Sequence, residues 1–158
     1  MDVRIEAASM NDVDPVTDQW VALVDDQRQY GSHLRGEANR NAAKSLVEQY
    51  VHADGLGVAR GSDGTILGFV MYHVERGMFE QDVRRGIVEN VFVVPSRRSE
   101  GIGTDLMEYA EDALEAEGVD VVALSVMAEN SAAREWYREN GYRPHRVTVE
   151  RRLGDGET

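Results

Sequence analysis

Val3, Ile5 and Ala7 alternate with Arg4 and Glu6, the period-2 pattern of a half-buried strand. The period then lengthens: Val16, Trp20, Val21, Leu23 and Val24 line one side of a helix that Asn11 or Asp12 is placed to cap. Residues 31–41 are polar, and a second helix is predicted over 42–52, ended by Asp54 and Gly55. Two strands follow at 56–60 and 65–74, joined through Ser62, Asp63 and Gly64, where the Asp-Gly pair is a strong hairpin signal. After a charged, irregular loop with Met78 and Phe79 at its tip, an apolar strand runs over 87–94. Beyond it, Ile102, Leu106, Ala110, Ala113 and Leu114 fall at helical spacing while Asp105, Glu108, Glu111, Asp112 and Glu115 take the opposite face. Gly118 is the stop. The β-branched run 119–126 suits a buried strand, 130–140 a short helix closed by Gly141, and 147–153 a last strand that completes the core.

This order of elements is that of an α/β domain: a mixed sheet with helices on both faces and a right-handed strand-helix-strand crossover around Gly101. One domain is expected over residues 1–153, with a short polar tail at 154–158. In such sheets ligands sit beyond the carboxyl ends of the strands, here at residues 94–104.

Composition narrows the chemistry. The 158 residues include no cysteine, which excludes disulfides, thiolate metal sites and a cysteine nucleophile. The four histidines, His33, His52, His73 and His145, show no metal-ligand spacing, so no metal is expected. No apolar run approaches the roughly 20 residues that cross a bilayer, and the first residues lack a leader pattern, so no membrane partner and a cytoplasmic location are expected. Acidic residues outnumber basic ones 29 to 17, for a net charge of −12, and the one lysine is Lys44. Such a surface argues against nucleic acid as a partner. It suits a protein working in very high salt, where self-repulsion is screened; an ordinary acidic cytosolic protein from a GC-rich genome is the alternative.

The stretch from Val94 to Thr104 carries the clearest chemical signal. An apolar strand ends at Pro95 and passes through Arg97, Arg98, Ser99 and Glu100 into Gly101, Ile102 and Gly103, where a helix begins. Backbone N–H groups at a helix start have no intrahelical partner, and the helix dipole favours an anion there, so a diphosphate-bearing ligand is expected. A dinucleotide fingerprint would need a third glycine where Leu106 stands, and a P-loop a Gly-Lys-Ser/Thr ending that is missing.

The pattern of Arg98, Gly101 and Gly103 after an apolar strand resembles the coenzyme A pyrophosphate loop of the GNAT superfamily of N-acetyltransferases. A second stretch is similar to the family's downstream motif: Asn130, Ala133, Tyr137, Gly141 and Tyr142, preceded by the strand 124–126. The likeness covers about residues 3–153 and is specific from Glu89 to Tyr142. It implies a central mixed, mostly antiparallel sheet with a splayed parallel pair and about four helices, and acetyl-CoA as acyl donor. It further implies that the backbone of Ser99, Glu100, Gly101, Ile102, Gly103 and Thr104 holds the pyrophosphate, with Arg98 at the family's Arg/Gln position. By the same resemblance Phe92, Val93 and Val94 meet the pantetheine through their backbone, Asn130 faces the cofactor, and Tyr137 protonates the departing thiolate. Many members dimerise, which leaves a homodimer open; no stripe of residues marks an interface.

Acetyl transfer to an amine needs a base for the ammonium proton and a weak acid for the sulfur. Glu89 is the candidate base. By strand alternation it shares a face with Val91 and Val93, whose apolar character would raise its pKa. The N–H of Val93 is expected to polarise the thioester oxygen. Glu89 as a salt-bridged edge residue, or an ordered water as base, and Tyr137 as a core aromatic are the competing readings. Arg97 reads as a solvated charge or an aid to the phosphates, and Tyr30, His33 and His73 as candidates to line an acceptor site. The acceptors left open are a small amine or amino acid, an aminoglycoside-like polyamine, and a protein amino terminus or lysine. A non-catalytic acyl-CoA sensor would keep Arg98, Gly101 and Gly103 but need neither Glu89 nor Tyr137, so their presence favours an enzyme.

Overall fold

The computed structural model describes residues 2–154. Its strands are β1 (Val3–Ala7), β2 (Leu56–Gly61), β3 (Ile66–Val74), β4 (Arg85–Val93) and β5 (Val121–Leu124). Its α-helices are α1 (Val13–Gln27), α2 (Arg40–His52), α3 (Ile102–Ala116) and α4 (Ser131–Glu139). The strands form one sheet in the order β1-β2-β3-β4-β5. Neighbours are antiparallel up to β4, and β4 and β5 are parallel, as a helical crossover between them requires.

Because successive side chains of a strand face opposite ways, β3 feeds two cores. Phe69 and Met71 pack with Val16, Trp20 and Val24 of α1 and Val47 of α2, whereas Val70, Tyr72 and Val74 pack with Ile102, Leu106, Ala110 and Leu114 of α3. The apolar stripe of α3 is thus buried and its row of carboxylates faces water. Among the described residues no helix is long and apolar enough to cross a membrane.

An ionic cluster ties the start of α1 to β1 and β2. Arg60 donates to Asp12 Oδ2 at 2.9 Å and to Glu6 Oε2 at 2.6 Å, and the Ser9 N–H donates to Asp12 Oδ2 at 2.9 Å. Burial works to raise the Asp12 carboxyl, but the hydrogen bonds from Arg60 and Ser9 outweigh it and hold the group below the ordinary carboxylate range. Its stabilising share is therefore full above the unfolded pKa, about 3.9, and is lost as pH falls through the lower folded value. Asp12→Ala is expected to cost about 2 kcal/mol, since the mostly buried Arg60 would keep only Glu6 and the Ser9 N–H would lose its acceptor. Urea denaturation at neutral pH measures it, and a loss below about 1 kcal/mol would show the cluster to be incidental.

Two expectations are corrected. The strand expected over 119–126 is confined to Val121–Leu124. Its partner bulges just past the last parallel pair: Met71 faces Asn90 while Tyr72 faces Val88, so Glu89 is the extra residue of β4. A bulge bends its strand and ends regular pairing. The final strand expected over 147–153 does not form; that segment has no regular structure, pairs with no strand and is exposed.

Candidate active site

Beyond Val88 and Leu124 the parallel strands part, leaving a gap beside the second half of β4. The loop that closes this gap is built from strained and unpaired backbone. After a single 3-10 turn over Pro95–Arg97, Ser99 adopts φ 66° and Gly101 φ 87°, and α3 begins at Ile102. A left-handed non-glycine residue costs of order 1 kcal/mol and recurs where a loop grips a ligand. Among the described residues, the backbone N–H groups of Ser99, Glu100, Gly101, Ile102, Gly103 and Thr104 meet no acceptor; Asp105 makes the first helical bond, to Gly101 at 3.0 Å. Six consecutive free donors at the positive end of a helix suit a pyrophosphate.

The charged side chains leave those donors clear. Arg97 donates to Glu100 Oε1 at 2.9 Å and also lies 3.4 Å from Asp2, which neutralises the one carboxylate of the loop. Arg98 turns back onto β4: its Nε donates to the Val93 carbonyl at 2.9 Å, and its guanidinium stands 5.5 Å from the Phe92 ring centroid. Arg98 therefore anchors the loop to the strand.

Backbone accounting also corrects the expected pantetheine contacts. The Val94 N–H donates to Leu67 O at 2.9 Å, and antiparallel alternation commits Phe92, opposite Phe69, to β3 as well. Of the three expected residues only Val93 points its N–H into the gap, as does Val91 two residues earlier, which the sequence reading missed. Gly68 lies opposite Val93, and a Cβ there would sit 2.3 Å from the Phe92 carbonyl, so β3 can approach this part of β4 only as glycine.

The two candidate catalytic side chains lie on opposite faces of the sheet. Tyr137 packs against the α3-side core that also includes Val91 and Val93, edge-on to Trp136 and Tyr142 at 5.2 and 5.8 Å between ring centroids. Burial raises its pKa, so the hydroxyl keeps its proton, and among the described residues it has no hydrogen-bond partner. Tyr142, by contrast, donates to Glu111 at 2.5 Å. Glu89 does not share the face of Val91 and Val93. The bulge turns it toward α2, where Glu89 Oε1 lies 3.9 Å from His73 Nδ1, and the same nitrogen is 3.0 Å from Tyr50 Oη. Burial, and then the Glu89 charge, raise the Tyr50 pKa. Tyr50 was not singled out in the sequence; its helical spacing from Ala43 and Val47 was the available signal.

A cleft of about 260 Å³ opens between the ends of α2 and β3, lined by Tyr50, Asp54, Tyr72, His73, Arg76 and Glu117. Tyr50 and His73 connect it to Glu89. His33 instead contacts Glu150 at 2.8 Å on the surface. Asn130 caps α4, its Oδ1 accepting from the Ala133 N–H at 3.2 Å, so its carbonyl is occupied by a helix terminus.

A mixed sheet whose parallel pair ends early, with a free-amide loop at the start of the following helix, is the fold shared with solved acetyltransferase structures. Within that fold the chain belongs to the acetyltransferase (GNAT) family, whose sequence profile matches residues 20–142. It is 33% identical over 141 residues to the mycothiol acetyltransferase of Clavibacter michiganensis subsp. michiganensis, covering 85% of this chain and 42% of the relative. It is 36% identical over 83 residues to the N-terminal acetyltransferase complex ARD1 subunit homolog of Dictyostelium discoideum, covering 52% of this chain and 39% of the relative. The chain thus spans about two fifths of the length of the mycothiol acetyltransferases it matches. Among solved structures, a mutant of the BH1408 protein from Bacillus halodurans superposes with TM-score 0.81 over 97% of this chain and 99% of that chain, at 21% identity. The aminoglycoside N-acetyltransferase AAC(6')-Iy in complex with CoA gives TM-score 0.70 over 95% and 94%, at 18% identity.

Proposed function

We propose that this chain moves an acetyl group from acetyl-CoA to the primary amine of a small molecule, by direct attack with both substrates bound. The observation that carries this reading is the row of six unpaired amides opening on a gap with Glu89 on one face and Tyr137 on the other. The loop fits the donor: a Cβ at Gly103 would meet only Val93 Cγ2, at 3.7 Å, so the protein itself leaves the space over these amides open. The amides from Ser99 to Thr104 would hold the pyrophosphate, and the Val91 and Val93 N–H groups would face the rest of the donor, its pantetheine and its thioester. Acetyl-CoA supplies a thioester whose carbonyl is the electrophile.

The chain's residues then divide the protons between two faces. From the α2 side, Glu89 accepts a proton from the ammonium group, directly or through water, with His73 and Tyr50 beside it. The Val93 N–H stabilises the oxygen that gains charge. From the α3 side, Tyr137 Oη donates to the sulfur as it leaves. The relative matched over most of this chain is named a mycothiol acetyltransferase, which supports a small acceptor, whereas the N-terminal acetyltransferase complex ARD1 subunit homolog matches only 52% of it. The cleft that Tyr50 and His73 connect to Glu89 has Asp54 and Glu117 against Arg76 in its wall, an acidic excess of one that favours a cationic acceptor.

The test is calorimetric titration with acetyl-CoA, followed in the same sample by thiol release across a panel of small amines, in molar KCl and in dilute buffer. Binding followed by release with at least one amine is the expected result. Binding without release for every amine would favour an acyl-CoA sensor, and no binding would remove the assignment. Loss of structure and activity in dilute buffer is expected if the acidic surface is an adaptation to salt.

A further inference from the structure

The anion loop carries a carboxylate of its own. Glu100 is the second of the six residues whose backbone N–H groups are free, so its side chain leaves the chain from within the row of donors. The positive end of α3 attracts any negative charge within reach, and Gly101 and Gly103 present no side chain to bar the way. A carboxylate that accepts from free amides at a helix start makes a strong, charge-assisted cap. Here such a cap would fill the place of a bound phosphate.

Arg97 holds that carboxylate elsewhere. Its Nε donates to Glu100 Oε1 at 2.9 Å, and among the described residues Glu100 has no other side-chain partner. A terminal nitrogen of the same guanidinium lies 3.4 Å from each carboxylate oxygen of Asp2. The Asp63 carboxyl, lowered chiefly by its hydrogen bond from the Thr65 N–H, is lowered further by the Arg97 charge. Asp2 precedes β1 and Asp63 sits in the turn between β2 and β3, both on the far side of β4 from β5. The guanidinium is therefore drawn toward β1 and β2, away from the gap between β4 and β5, and it takes Glu100 with it. Stability does not account for the arrangement. The Arg97 and Glu100 side chains are 27% and 45% exposed, and ion pairs so open contribute little to folding.

We propose that Arg97 is a positioning residue for the donor site: it sequesters Glu100, the loop's own competitor for the free amides, and so keeps them open to the pyrophosphate. The inference rests on the reading of this loop as the acetyl-CoA pyrophosphate site. Arg97 acts through Glu100 and not by touching the phosphate, because its guanidinium is already engaged by Glu100 and Asp2. Removing Arg97 does more than delete a positive charge, since it frees a carboxylate beside six unpaired donors.

A charge-rescue cycle tests this, with acetyl-CoA titrated calorimetrically into the parent, Arg97→Ala, Glu100→Gln and the double variant. Arg97→Ala is expected to weaken binding about tenfold, and Glu100→Gln in the same chain to restore it to within about threefold of the parent, because a neutral amide is a poor cap and repels nothing. The Arg97→Ala loss is expected to shrink in molar KCl. Amide hydrogen exchange without any ligand gives a second readout. Residues 99–104 are expected to exchange severalfold more slowly in Arg97→Ala than in the parent, and fast again in the double variant. A double variant as weak as Arg97→Ala would make Arg97 a direct phosphate contact and overturn the proposal. So would Arg97→Ala binding as tightly as the parent, or exchange in residues 99–104 that is the same in both. A parent that fails to bind acetyl-CoA would instead remove the reading of the loop, while the exchange measurement still decides what Arg97 does to Glu100.

Discussion

Tyr137→Phe is expected to lower kcat about a hundredfold while leaving acetyl-CoA affinity within about twofold, the signature of a group that acts only as charge develops. The substitution removes one hydroxyl and keeps the ring that packs between Trp136 and Tyr142, so the core under α3 and the folded state are retained. Burial holds the Tyr137 hydroxyl in its protonated form through neutral pH. Its proton is thus in place until negative charge accumulates on the sulfur, and it is not diverted to a neighbour as that of Tyr142 is to Glu111. Steady-state thiol release with an amine from the panel that supports turnover, together with titration of acetyl-CoA, reads both quantities. A variant as fast as the parent would leave Tyr137 as a packing residue.

Gly103→Glu is expected to weaken acetyl-CoA binding by about a hundredfold or more while leaving thermal stability equal or slightly higher. The two effects separate because the position is permissive within the protein: Gly103 is not in the left-handed region, and an added side chain meets only Val93 at an ordinary contact distance. An acidic residue in the first turn of α3 would favour the helix by a few tenths of a kcal/mol. The same carboxylate would stand over the free amides and repel the pyrophosphate. Calorimetry and a melting curve on one sample separate the outcomes, and retained affinity in a stable variant would dissociate the loop from the cofactor. Gly101 is less suitable for this test, since its φ of 87° makes any side chain costly to the fold itself.

Local pattern was enough wherever the neighbours along the chain decide the outcome. The alternation in β1, the stripe of α3, the hairpin at Asp63-Gly64 and the glycine-marked turn at Gly101 are where the sequence places them, because helix period, turn geometry and helix-end amides depend on a few adjacent residues. For the same reason the turn of unpaired amides that opens α3 was legible before any coordinates.

What only the tertiary structure decided depends on which strand lies alongside which. Strand alternation puts Glu89 with Val91 and Val93, but pairing with β3 makes it the extra residue of a bulge and turns it to the opposite face, next to His73 and Tyr50. Register, again, commits Phe92 and Val94 to β3 and leaves the Val93 N–H directed away from it. The segment 147–153 shows the limit most plainly. Its residues carry the strand pattern in full, yet a strand is completed by hydrogen bonds to a second strand, and a pattern along one chain cannot say whether that partner lies in the same sheet or in another molecule.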